Sequence, residues 1–452
     1  MLRYAPFLDS LTAQASSMAD LVVDWVKVPS GSHDIPGLAR MAGKLKSAFS
    51  ALGAVGEEIP LALQSAIDSR GSVCGLPLGK ALRFRKRPDA PLRVFLGIHY
   101  DVVYDDVVNA AAHATVYNAA YDAAYGGHAH AVDAGARGQG SAAAQPASEV
   151  THPIRLENGM LHASGAADAK GGLVILLKAL EAFEASPFAG EVGWEVLLNP
   201  DEELGSPGSL PLLKEAAARN HLGLLFEPSL PDGHLVGARK GSGNFTAVIR
   251  GRAAHAGRDP HLGRNAIHAL AEFIVDLDRF ARKVPGLNVN VGKVEGGGAV
   301  NRVPDLAIAR FNLRAGDSVD QAAAEDWLRA QAAEFAQREG YALEIHGGFS
   351  APPKPLGGGT LELLQAVVAS GRELGLELKW RSSGGVSDGN KLAAAGLPNV
   401  DTLGARGGDI HSPREFLILD SLAERARLTA LLLMRLGSGE LAWPVSRAME
   451  GA

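Results

Sequence analysis

The chain has 452 residues, 46% of them hydrophobic and 21% charged, with a formal net charge of -6. That length exceeds what one compact core usually holds, so about two or three domains are expected, and the acidic balance offers no attraction to nucleic acid or to an anionic membrane surface. Cys74 is the single cysteine, which excludes an internal disulfide and a thiolate metal cluster and leaves His, Asp and Glu to hold any tightly bound metal.

The N-terminal run places Asp9 and Asp20 among its apolar residues and has no basic start or cleavage site of a secretory signal. No stretch reaches the apolar length of a bilayer span, so a cytoplasmic location is expected. Apolar periodicity predicts helices over 8–26 and 37–52, then a strand over 92–98. Residues from about 107 to 145 are rich in Ala and Gly and weakly periodic, which reads as a surface insertion. His128 and His130 lie there without a third donor nearby, so a polar loop is a simpler account of them than a metal site.

A helix over 171–183 and strands over 193–198 and 222–226 continue an α/β alternation. Near Arg239 the texture changes: strand 245–250, helix 265–281, strands 288–293 and 307–313, and helix 322–338. With a last strand ending near Gly347, this is the strand–helix–strand–strand–helix–strand order of a ferredoxin-like α+β unit. SAPPKPLGGG (350–359) reads as a linker back to the first unit, which resumes with helix 361–374, strand 399–403 and helix 422–436. The expected architecture is therefore an α/β domain with a mixed sheet flanked by helices, built from 1–238 and 350–452 and interrupted by an α+β domain over 239–349.

Several predicted strands end in groups that bind metals. LRVFLGI runs into His99-Tyr100-Asp101, GWEVLLNP into Asp201-Glu202-Glu203, LGLLF into Glu227, and NVDTLG through ARGGDI to His411. Ligands of open α/β sheets bind beyond the carboxyl ends of the strands, so this convergence points to a metal site where any one residue alone would read as a solvated loop. Asp168, in SGAADAKGG ahead of a helix, reads equally as a helix cap or as a ligand.

The motifs HYD, GAADAKGG, DEELGS, FEPS, GRAAHAG, GGGAVNRVPD, SGGVSDGN and GGDIHS occur in that order. The chain thereby resembles the zinc-dependent exopeptidases and aminoacylases: glutamate carboxypeptidases, acetylornithine deacetylase and succinyl-diaminopimelate desuccinylase. It is most similar to the bacterial glutamate carboxypeptidase branch. The resemblance implies two Zn2+ per subunit, with Co2+ or Mn2+ as substitutes, held by His99, Glu227, Glu203 and His411, with Asp168 bridging. It implies Asp101 behind His99 as the carboxylate that fixes the imidazole, and a cis peptide bond at Asp168–Ala169. Glu202 would be the general base, facing away from Glu203 because adjacent side chains alternate along an extended segment.

In the inserted domain, the resemblance implies that His255 reaches the site of a second copy of the chain, in a homodimer formed through that lid, and steadies the oxyanion. Asn301, Arg314 and Gly385 would grip the substrate, a bidentate guanidinium suiting a free carboxylate. Arg302 and Lys240 read as solvated surface charges. The implied reaction is hydrolysis of an amide bond next to a free carboxylate in a small peptide or an N-acyl amino acid. Two departures stand out: the long insertion between His99 and Asp168, and Tyr104 where relatives carry proline.

Other chemistries fit less well. Gly385-Val386-Ser387-Asp388-Gly389 matches a nucleophile elbow, and Asp401 or Asp409 followed by His411 would supply a serine-hydrolase order. That triad would crowd into the last quarter of the chain and leave Asp168, Glu203 and Glu227 without a role. A non-catalytic binding module would be expected to have lost a ligand or the base, and none is lost. No glycine-rich dinucleotide fingerprint follows a strand and opens a helix.

Overall fold

The computed structural model describes residues 1–103 and 154–444. The Ala/Gly-rich insertion, with Tyr104, His128 and His130, lies outside the described residues. The larger sheet has six strands in the order Val55–Pro60, Lys80–Lys86, Val192–Asn199, Leu92–His99, Leu222–Leu225 and Asn399–Val400. The last four run parallel, and the first two are added at one edge through antiparallel pairing. Val192–Asn199 is buried along its whole length, as a strand covered on both faces requires. One face packs on helices Ala5–Ala13, Ala15–Val26, Gly172–Glu184 and Asp420–Gly437. The other meets helices Leu210–Arg219 and Asp388–Ala394 through Leu213, Ala216 and Leu392.

The smaller sheet contains Asn288–Gly296, Leu306–Ala315, Gly241–Arg250 and Ala342–Ala351, in that order and antiparallel throughout. Phe245, Ala247, Ile249, Phe311 and Leu313 point into a core shared with helices Ala266–Ala281 and Ser318–Ala336. Asn265 and Asp317 cap the two helices by accepting backbone N–H bonds. The strand alternation leaves Ser242, Asn244, Arg310, Asn312 and Arg314 on the opposite face. The mixed α/β fold with an α+β insertion is therefore as the sequence pattern implies.

Four local expectations need correction. The helix expected over 8–26 is two helices, Ala5–Ala13 and Ala15–Val26, because Gln14 leaves helical geometry (φ -92, ψ 5). The strand expected over 399–403 forms a regular parallel ladder only at Asn399 and Val400; beyond it Asp401 turns its carboxylate to buried cations, and Thr402 makes an isolated bridge to Phe226. The stretch 350–359 is not a free linker: the lid strand continues to Ala351, and Lys354 is buried against Asp401. Glu202 and Glu203 lie in a 3₁₀ turn (Glu202–Leu204) rather than an extended segment. They still diverge, because successive side chains in a 3₁₀ turn are rotated by about 120°.

A hairpin of Gln64–Ile67 and Val73–Leu76 reaches from the larger unit to the open face of the small sheet. Arg310 donates to the Ile67 carbonyl at 2.7 Å and Arg250 to the Gly71 carbonyl at 2.8 Å. Gly71 has φ +72, and a Cβ there would lie 2.7 Å from Val248, so close approach and backbone both call for glycine.

Candidate metal centre

The carboxyl ends of the parallel strands converge on one cluster. His99 ends its strand with its ring buried. Its Nδ1 donates to the Asp101 carbonyl oxygen at 2.9 Å, which leaves Nε2 facing the cluster as the nitrogen that would bind a metal once deprotonated. That Nε2 lies 3.0 Å from Asp168 Oδ1 and 3.7 Å from Glu227 Oε2. His411 Nε2 lies 3.3 Å from both Asp168 Oδ2 and Glu203 Oε2. His99, Asp168 and Glu227 form one potential ligand group and Asp168, Glu203 and His411 another, each with donor atoms within 4.8 Å. The two oxygens of Asp168 face different histidines.

Local structure explains each placement. The Asp168–Ala169 peptide bond is cis, and Asp168 lies in a π-type turn with no side-chain cap on the helix that follows, so the helix-cap reading fails. Glu415, four residues past His411, accepts from the backbone N–H groups of Gly165, Ala167 and Asp168 at 2.9, 2.9 and 3.0 Å. Lys170 is buried and donates to the Val28 carbonyl, and burial lowers its pKa to about 7. His411 sits at φ 59 in a turn with its side chain about half exposed.

Asp101 does more than sit behind His99. Its carboxylate accepts from Ser32 Oγ at 2.8 Å and from the backbone N–H groups of Glu202 and Glu203 at 3.2 Å each. The imidazole itself is held at Nδ1 by the Asp101 carbonyl oxygen, with carboxylate Oδ1 farther off at 3.3 Å. One residue therefore orients the histidine and the acidic turn together.

The electrostatics are those of carboxylates crowded without enough counter-charge. Burial raises Glu203 to about 7 against the opposing pull of His411. Burial and the neighbouring Glu227 charge push Glu202 well above the usual carboxylate range. The hydrogen bonds to Asp168 and Glu203 hold His411 up to about 10. For His99, burial disfavours the charged ring, but Glu227, Asp101 and Asp168 outweigh it and raise the pKa. Glu203 Oε1 is buried with no hydrogen-bond partner. An orphaned carboxylate oxygen among two histidines and three carboxylates fits divalent cations, whose oxygen and imidazole preferences this set meets.

The expected substrate residues are placed differently from one another. Arg314 is half-buried, donates to Asn312 at 2.9 Å and approaches the Gly384 carbonyl at 3.4 Å. Burial lowers its pKa while the Glu202 charge opposes, which puts it in electrostatic reach of the acidic turn. The Gly385 carbonyl accepts from Arg239 at 3.2 Å. His255 is exposed, its Nδ1 accepting from the Gly257 and Arg258 backbone at 3.1 Å. Asn301 is exposed and accepts the Ala256 N–H through its carbonyl. Neither belongs to the ligand groups of this chain. Lys240 donates to Asn288, and Arg302 pairs with Asp305 at the surface.

The elbow serine is buried: Ser387 Oγ donates to Asp401 at 3.0 Å and accepts the Gly389 N–H, closing a capping box. His411 is engaged elsewhere. Glu415, Lys170, Arg239 and Lys354 were not singled out for roles from sequence. Each is a single charged residue in a turn, loop or strand, and its partner is fixed only by folding.

A cluster of this make-up at the strand ends of such a sheet defines a metal-dependent hydrolase. Residues 142–435 match the model of peptidase family M20/M25/M40, and the chain belongs to that family. It is 30% identical over 294 residues to carboxypeptidase G2 of Pseudomonas sp. (strain RS-16), covering 64% of this chain and 70% of that one. It is 29% identical over 292 residues to succinyl-diaminopimelate desuccinylase of Nitrosospira multiformis, covering 61% and 75%. The fold is shared with human carnosine dipeptidase 1 at a TM-score of 0.64 and 14% identity, over 96% of this chain and 100% of that one. It is likewise shared with a metallo-carboxypeptidase of Sulfolobus solfataricus at a TM-score of 0.63 and 17% identity, over 92% and 98%. Among the described residues no helix is long and apolar enough to cross a membrane.

Proposed function

We propose that this enzyme is a two-zinc carboxypeptidase-type amidohydrolase, cytoplasmic and dimeric, that cleaves an amide bond next to a free carboxylate. The reading is carried by one observation: Asp168 stands between two His–carboxylate pairs, His99 with Glu227 and His411 with Glu203. The charges of Glu227 and His99 act on Glu202, and the Glu202 charge acts on Arg314. His99, Asp168 and Glu227 would hold one ion and Asp168, Glu203 and His411 the other. Bound there, the ions supply electrophilic polarisation of the scissile carbonyl and a lowered pKa for the attacking water.

The chain's own residues do the rest. The Glu202 carboxylate, made more basic by its burial, takes the proton of the attacking water and delivers it to the departing amine. Asp101 keeps His99 in the tautomer that presents Nε2 and fixes the backbone of Glu202 and Glu203. Arg314, Asn301 and the Gly385 backbone hold the substrate carboxylate, and His255 of a second copy steadies the oxyanion. The likeness to carboxypeptidase G2 favours a glutamate-like leaving residue. The likeness to the desuccinylases favours deacylation of an N-acyl amino acid, which needs the same machinery.

A zinc-loaded panel of N-acyl amino acids and dipeptides with free carboxylates tests the proposal. Hydrolysis should stop on chelation and return with zinc. Glu202→Gln should keep its zinc and lose turnover by about 100-fold or more. Chelator-resistant turnover would overturn the metal reading, and an active Glu202→Gln variant would overturn the base.

A further inference from the structure

The chain passes between its two sheets twice, and the crossings are paired. Arg239 N–H donates to the Lys354 carbonyl at 2.9 Å, and Lys354 N–H returns a bond to the Arg239 carbonyl at 3.0 Å. Both side chains then turn to one carboxylate. Asp401 Oδ2 accepts from Arg239 Nε at 2.8 Å and Lys354 Nζ at 2.9 Å, while Oδ1 accepts from Arg239 Nη2 at 3.1 Å. All three residues are buried, Asp401 completely. Asn390 adds a second tie, donating to the Lys240 carbonyl of one crossing and the Pro352 carbonyl of the other at 3.0 and 2.8 Å.

The same carboxylate also fixes a loop. Asp401 Oδ2 accepts from Ser387 Oγ at 3.0 Å, and Arg239 Nη1 donates to the Gly385 carbonyl at 3.2 Å. Lys240 N–H donates to the Ser383 carbonyl at 3.1 Å. A Cβ on Gly389 would lie 2.4 Å from Asp401 Oδ2, so glycine there lets the helix start close over the carboxylate. On the lid side, Arg314 pairs in register with Ser242, three residues beyond Arg239.

Stability alone does not account for two cations on one buried anion, since buried ion pairs are often matched by apolar packing. What converging charged groups supply is geometry. We infer that Asp401 is a positioning residue for substrate binding: its carboxylate locks both crossings and the Gly385 loop, and so sets the gap between Gly385 and the lid's Arg314. The inference rests on the reading of Gly385 and Arg314 as the grip on the substrate carboxylate.

Asp401→Asn in the zinc-loaded full-length enzyme tests it. KM for a carboxylate-terminated substrate should rise about tenfold while kcat stays within about threefold and zinc content is unchanged. The preference for the free acid over its methyl ester should shrink in step. Amide hydrogen exchange across 239–241, 352–354 and 383–387 should accelerate. Faster exchange with unchanged KM and acid-to-ester preference would reduce Asp401 to a structural role and overturn the inference. Unchanged exchange would overturn the clamp itself, a result readable even if no panel substrate is hydrolysed. Should Asp401→Asn fail to fold, Arg239→Lys decides, since it keeps a cation on Asp401 but withdraws the donor to Gly385. A raised KM there supports the inference, and a wild-type KM overturns it.

Discussion

At the residue scale, protons occupy positions that metal ions would claim. His411 is held protonated up to about 10 by Asp168 and Glu203, and burial lifts Glu203 to about 7. The raised His411 pKa stabilises the metal-free fold below the unfolded-state value near 6.5, and that contribution is lost as pH rises through about 10. Zinc bound at the proposed ligands would have to displace these protons. Its apparent affinity in a competition with a chelator should therefore tighten from pH 6 to pH 8, by about tenfold per unit for each proton released. A flat profile would mean that the ligands are already deprotonated and the charge balance described above is wrong. Among the proposed ligands, His99, Glu203, Glu227 and His411 were legible as candidates because each follows a recognisable apolar strand, whereas Asp168 rested on the resemblance carried by its glycine-rich motif. Glu415 was not legible, because its partners are backbone N–H groups; that of Asp168 is 247 positions away. No residue pattern encodes such a partner.

At the element scale, the helix Gly172–Glu184 carries the Asp168 turn against the strand that delivers Glu227. The fit depends on Gly172, where an added Cβ would lie 2.2 Å from the Phe226 carbonyl oxygen. Neither group is the end of a flexible side chain, so helix and strand must separate. Gly172→Ala should cost about 1–3 kcal/mol in denaturant unfolding and weaken zinc binding, since Asp168 and Glu227 sit on opposite sides of the displaced contact. Full zinc affinity in a destabilised variant would show that the turn adjusts independently of the helix. Continuous apolar runs made the buried strands readable, and the 3.6-residue period made the long helices readable. The Gln64–Ile67 and Val73–Leu76 hairpin was not, because each strand has only four residues and none of them is fully buried, so no apolar alternation marks it. Its support comes from Arg250 and Arg310 of the other unit, which donate to its carbonyls.

At the scale of the whole molecule, the proposed reaction needs an oxyanion donor that the chain does not place among its own ligand groups. His255 and Asn301 are exposed on the lid, bonded to their own loop, and outside the cluster. The same lid exposes Ile267 and Val275 on one helix and Val294 on the sheet-edge strand Asn288–Gly296. An unpaired edge beside exposed apolar residues suits a two-fold contact between copies. If a second copy supplies His255, then Glu202→Gln and His255→Ala are each inactive alone but complement each other. In a mixed dimer, one site combines Glu202 of one chain with His255 of the other, while the second site carries both defects. Statistical reassortment makes about half of the dimers mixed, so refolding the two variants together should restore about one quarter of wild-type activity. A mixture that reassorts yet stays inactive would place His255 in the site of its own chain, because every chain would then carry one defect.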